Sequence, residues 1–76
     1  MQVRVFLRQS LFTLPGAAAH VPANACILEG ACDEPRAEGI RIHATSYKDE
    51  RGRTLEGQPC LLIIPGAKID HVLLLG

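Results

Sequence analysis

The chain carries no net charge, no long apolar run and few cysteines. Eight Lys and Arg balance eight Asp and Glu. That balance argues against a broad phosphate-binding surface, which needs clustered positive charge, but leaves room for a small local site. No apolar segment is long enough to cross a bilayer, and the mildly apolar stretch from Leu11 to Val21 is interrupted by Pro15 and Gly16. No basic start leads into an apolar segment with a small-residue cleavage site, so no membrane association and no secretory leader are expected. The three cysteines, Cys26, Cys32 and Cys60, are an odd number. They read as reduced, small core side chains of a cytoplasmic protein, not as a disulfide framework. Cys26 and Cys32 stand six apart, which is not the spacing of a zinc knuckle, so neither metal nor cofactor is expected.

Catalytic patterns are equally scarce. Ser10 and Ser46 do not sit in a Gly-x-Ser-x-Gly turn, and no glycine-rich phosphate loop occurs. Asp33-Glu34 and Asp49-Glu50 are neighbouring carboxylates in loop-like segments, where such pairs are usually solvated. A Cys with a His could form a thiol dyad on paper, but nothing in the sequence selects a pair. A non-enzymatic protein is expected, and a small hydrolase is the weakest reading.

What the chain does have is an apolar tail. From Cys60 to Gly76 two runs rich in Leu, Ile and Val flank Pro65-Gly66. Pro fixes its φ and removes a backbone donor, and Gly accepts angles other residues avoid, so the pattern predicts strand, tight turn, strand: a tail hairpin. A single helix through the stretch would cost roughly 3 kcal/mol at the proline and 1 kcal/mol at the glycine. Period two puts Leu61 and Ile63 on one face of the first strand and Cys60, Leu62 and Ile64 on the other. In the second strand Ile69, His71, Leu73 and Leu75 share a face, with Asp70, Val72 and Leu74 opposite, which separates Asp70 from His71. Both faces of both strands want cover, and 76 residues can supply few layers. A tightly rolled barrel covered by its own N-terminal segment is one answer. A second copy of the chain is the other.

The rest of the chain reads as one domain, residues 1–76. Gln2–Leu11 alternates Val3, Val5 and Leu7 with Arg4, Phe6 and Arg8, which favours a strand, though Val3, Phe6, Leu7 and Leu11 also share a helical face. Thr13–Asn24 is a connection, with a turn at Pro15-Gly16, at most one helical turn at Ala17–Ala19, and His20 as a loop residue. Ala25–Cys32 suits a strand bent at Gly30. Asp33–Gly39 is a loop. Ile40–Tyr47 is the clearest half-exposed strand, with Ile40, Ile42 and Ala44 against Arg41, His43 and Thr45. Lys48–Gly57 is a charged hairpin tip. Five short strands with short connections predict an all-β, small, strongly bent barrel.

The segment Ile64-Pro65-Gly66-Ala67-Lys68-Ile69-Asp70-His71-Val72-Leu73-Leu74-Leu75 resembles the second sequence motif of the Sm and Sm-like family. Ile27-Leu28-Glu29-Gly30-Ala31-Cys32-Asp33 is similar to the first, a bent strand with glycine running toward an aspartate. The resemblance implies an SH3-like, five-stranded barrel that forms rings through its last two strands, which would make Leu62, Ile64, Val72 and Leu74 contact residues. It also implies single-stranded RNA at the inner rim of the ring, with Arg36, His43, Gly66 and Lys68 as the binding positions. Pro65 stands where the family has arginine, and Glu34-Pro35-Arg36-Ala37 replaces its signature after the aspartate. The resemblance therefore speaks more for the fold and the ring than for RNA. The alternative is a self-assembling barrel with a structural or protein-binding role.

Overall fold

The computed structural model describes residues 1–9, 21–22 and 24–75. These form an all-β protein with six antiparallel strands: β1 (Gln2–Leu7), β2 (Ile27–Cys32), β3 (Gly39–Lys48), β4 (Thr54–Leu55), β5 (Cys60–Pro65) and β6 (Ile69–Leu74). A single 3₁₀ turn, Gly66–Lys68, joins β5 to β6. The expected Pro15-Gly16 turn, the alanines at 17–19 and His20 lie outside the described residues.

Alternation decides the strands. In β1, Val3, Val5 and Leu7 are buried while Gln2, Arg4 and Phe6 face outward. In β3, Ile40, Ile42 and Ala44 are buried against exposed Arg41, His43 and Thr45. β1 is therefore a strand: period two satisfies one buried face, which the rival helical grouping of Val3, Phe6 and Leu7 would not. The core gathers Val3, Val5, Leu7, Leu28, Cys32, Ile40, Ile42, Ala44, Tyr47 and Ile64, with Val21 and Ala25 beneath it. Tyr47 is the largest buried side chain, and its hydroxyl donates to the Gln58 carbonyl at 2.7 Å. That bond keeps the phenol satisfied inside the core, where burial pushes its pKa up.

The strand order is β6–β1–β2–β3, with β3 carrying both β5 and the two-residue β4 along its remaining edge. β5 pairs with the first half of β3, Gly39 to Ala44, and β4 with its end, Tyr47 and Lys48. β4 is the strand the sequence did not separate from the charged hairpin tip. There Asp49 Oδ1 accepts from the N–H groups of Arg51 and Arg53, both at 2.9 Å, and Gly52 takes a φ of 82°.

Two irregularities bend the sheet. Between Glu29 and Gly30 the β2–β3 register shifts, so Thr45 has no partner and both Ala44 and Tyr47 point inward. Gly30 allows this close approach, because a Cβ there would collide with the His43 carbonyl oxygen. The second shift lies in the β1–β6 ladder, where Phe6 pairs with His71 and Leu7 with Ile69, leaving Asp70 unpaired. This bulge corrects the expected faces of the last strand. Ile69 and Val72 both pack against the core, and Asp70 and His71, expected on opposite sides, meet with Nδ1 and Oδ2 3.3 Å apart.

The tail hairpin is also corrected. β5 and β6 are strands joined by a tight turn at Pro65-Gly66, but they share no ladder: β5 pairs with β3 and β6 with β1. The 3₁₀ turn is a corner that carries the chain from one edge of the sheet to the other. The sheet is thus left open, with β5 and β6 each paired on one side only.

Candidate functional site

Two features stand apart from the core: the open edges of the sheet, and a cleft where two loops meet. On β5, Ile63 is 80% exposed and Leu61 is 55% exposed, while Ile64 between them is buried. On and after β6, Leu73, Leu74 and Leu75 are exposed as well. Exposed large apolar side chains alternating along an unpaired strand edge are what a soluble monomer normally avoids by charge, proline or a covering segment.

Of the four contact residues expected from the resemblance, Ile64 is fully inside its own core. Leu62 and Val72 are half-buried and packed against that core, and Leu74 is exposed. Leu61 and Ile63, which the resemblance did not single out, carry the largest exposure on β5. Their signal was present in the sequence, since a strand apolar at every position must present one side to something other than its own core.

The cleft forms at the end of β5. It has a volume of about 630 Å³, with Ile40, Ile63, Ile64 and Pro65 as its apolar wall. Asp33, Glu34 and Glu38 and the guanidinium-bearing Arg36 and Arg41 line it as well. The β2–β3 loop, the start of β3 and the end of β5 build it together, and the 3₁₀ turn that follows is tied to the loop. The Gly66 N–H donates to the Glu38 carbonyl at 2.9 Å, and a Cβ on Gly66 would strike the Ala37 carbonyl oxygen. A residue with a side chain could not hold the two loops so close.

This contact sets Gly66 against the loop that carries Arg36, and Arg36 lines the cleft. Lys68 is exposed at the far end of the same turn, where its carbonyl accepts from the Arg8 N–H at 2.9 Å. His43 is not part of the group. It lies exposed on the outer face of β3, paired with Ala31 and Leu61, four residues along the strand from Gly39. At about 3.3 Å per residue that is roughly 13 Å away.

The remaining polar groups look structural. On the outer face, Glu29 Oε1 accepts from Arg4 Nε at 2.7 Å and lies 3.2 Å from Lys48 Nζ. Partial burial pushes the Glu29 carboxyl up, but the hydrogen bonds and charges of Arg4 and Lys48 outweigh it and hold the pKa below its ordinary value. Phe6 and His71 stack at 4.2 Å between ring centroids, cross-strand partners on β1 and β6. All three cysteines are free thiols; burial pushes Cys26 and Cys32 up, away from the thiolate form. Among the described residues no group of three or more His, Cys, Asp or Glu side chains is placed to hold a metal ion.

Comparison with known proteins returns no match to a family model, a curated protein or a solved structure.

Proposed function

We propose that this chain is a non-enzymatic, Sm-like small barrel that joins copies of itself head to tail through β5 and β6. The observation that carries the reading is the pair of open edges, each bearing exposed Leu or Ile side chains, on strands joined by one short turn. In this reading β4 is an appendage of the β3 hairpin. The strands β6–β1–β2–β3–β5 are then the five staves of an SH3-like barrel, bent at the two register shifts. In the assembly the open edge of β5 takes the β6 edge of one neighbour, and the open edge of β6 the β5 edge of another. A contact between unlike edges leaves the same two edges free at the ends, so it propagates until it closes as a ring. The three free cysteines fit a cytoplasmic setting.

Single-stranded RNA at the inner rim is the ligand this reading carries with it. What supports it is that the second motif-like segment, at the Gly66 N–H, is bonded to the loop that follows the first, at the Glu38 carbonyl. What favours the second reading, a structural or protein-interaction ring without RNA, is the charge of the cleft: three carboxylates against two guanidiniums. Phosphates would meet more negative than positive charge there.

The test is the mass in solution under native conditions. The expected particle is a multiple of the 8.2 kDa protomer, and Leu74→Asp splits it. A solitary 8.2 kDa wild-type particle would end the proposal. Titrating labelled oligouridylate at two salt concentrations then divides the readings. Binding at about micromolar protein that weakens with salt supports RNA, and its absence leaves the structural ring.

A further inference from the structure

We infer that the cleft at the end of β5 binds an aliphatic α-amino acid as its zwitterion. The ammonium group lies on the carboxylates of the β2–β3 loop, the carboxylate on Arg36 and Arg41, and the side chain against Ile40 and Pro65. This goes beyond the assembly proposed above and does not depend on it. It gives the cleft an occupant other than a nucleic acid.

The backbone of the cleft is pinned on both sides. The Arg36 N–H donates to the Gly39 carbonyl at 3.2 Å, and the Gly39 N–H to the Arg36 carbonyl at 3.1 Å, which closes a tight turn over Ala37 and Glu38. The Gly66 N–H holds that turn from outside through the Glu38 carbonyl. Gly39 in turn pairs with Pro65, so close that a Cβ on it would strike the Ile64 carbonyl oxygen. A frame set before the ligand arrives saves the cost of ordering it on binding.

The charges within that frame are mixed and unspent. Asp33, Glu34 and Glu38 share the lining with Arg36 and Arg41. Among the described residues none of the five forms an ion pair, since every such pair includes Glu29 or Asp70. Even Asp33 and Arg41, each one position beyond the Cys32–Ile42 pair on its own strand, do not close on one another. Both signs are therefore open to a ligand.

The simpler ligand classes each meet a charge they cannot satisfy. A phosphate faces three carboxylates, and a simple cation faces two guanidiniums. A purely apolar molecule would desolvate both signs without pairing either. A molecule with ammonium and carboxylate on one carbon answers both. The wall selects its third group: it is made of isoleucines and a proline, and among the described residues no aromatic ring lines it for a base to stack on. The volume of about 630 Å³ lies within the range of small-molecule sites.

Isothermal titration of the wild-type chain with L-leucine tests this. Leucinamide keeps only the ammonium group and N-acetyl-leucine only the carboxylate, and both keep the side chain. Leucine is expected to bind with a dissociation constant of about 1 mM or tighter. Each half-ligand is expected to bind at least about 10-fold more weakly, because one sign in the cleft then goes unanswered. Arg36→Gln with Arg41→Gln should weaken leucine about 10-fold and leave leucinamide no weaker, while Asp33→Asn with Glu38→Gln should weaken both leucine and leucinamide. All four positions are exposed, and amide NMR dispersion checks that each variant keeps its fold. No saturable binding of leucine at about 10 mM would overturn the inference. So would leucinamide binding as tightly as leucine, or variants that bind leucine like wild type. Mass in solution is read on the same samples. A chain that assembles but ignores leucine overturns this inference alone, and one that binds leucine as a lone protomer supports it while ending the assembly.

Discussion

Ile63 and Ile64 are neighbours in β5 that point to opposite sides of the strand, and replacing each in turn separates assembly from folding. Ile64 is 1% exposed, packed in the core on the β3 side. Ile64→Ala removes its side chain beyond Cβ from a filled site, and such truncations destabilise by about 2–5 kcal/mol. Ile63 is 80% exposed. Fully burying an isoleucine is worth about 1.5–3 kcal/mol, so four-fifths of that, roughly 1–2.5 kcal/mol per junction, becomes available only when another surface covers it. Ile63→Ser should therefore leave the stability of the isolated protomer within about 0.5 kcal/mol of wild type, as is usual for a surface change. The same change should weaken each junction roughly 5- to 50-fold. Urea unfolding at concentrations below assembly gives the first number. Sedimentation across a dilution series gives the second, and the dilution matters because association itself raises apparent stability. The reasoning fails if Ile63→Ser unfolds as readily as Ile64→Ala, which would mean that the side chain is already covered. It fails equally if the variant assembles with wild-type affinity.

Two further outcomes follow from the packing. Glu29 has its folded pKa held below the ordinary 4.5, so its contribution to stability is fully present above that value and is lost as pH falls through the lower folded value. Glu29→Gln should flatten the acid limb of the stability profile below pH 4.5 while leaving its slope near neutrality unchanged; an unchanged acid limb would remove the carboxylate from the account. Gly30→Ala places a methyl group against the His43 carbonyl oxygen at the β2–β3 bulge, and overpacking of this kind costs about 1–3 kcal/mol, readable as an earlier urea midpoint at constant slope.

Strand identity was legible wherever one face of a strand is buried. Val3–Val5–Leu7 and Ile40–Ile42–Ala44 alternate because each strand has one side on the core, and the glycine in Ile27–Cys32 marked the bend where the register shifts. The tail was harder. Leu61, Leu62, Ile63 and Ile64 are apolar at every step, so composition shows that both faces want cover but not which face the protomer covers itself. Pro65-Gly66 announced a reversal, and a reversal can be a hairpin or a corner. The choice depends on which strands lie nearby, here β3 and β1, and that is long-range information. The bulge at Asp70 was hidden for a similar reason. A bulge needs no glycine when the extra residue faces solvent, so nothing local marked the loss of period two that brings Asp70 to His71. Of the candidate site, Arg36 lies in the loop to which Gly66 is bonded through Glu38, and His43 stands apart on the outer face of β3. A strand position fixes the face on which a side chain stands but not its distance from a loop.

The corner at Gly66–Lys68 has a geometric consequence for any closed assembly. Only those three residues separate β5 from β6, the two strips the proposed assembly would use, and Gly66 is clamped to the loop before β3. In such an assembly the two strips would be phased like the faces of a wedge, and the angle of that wedge would divide the circle. Stoichiometry would then be written into a single short turn, and adding or removing one residue there would change how many wedges complete the wheel.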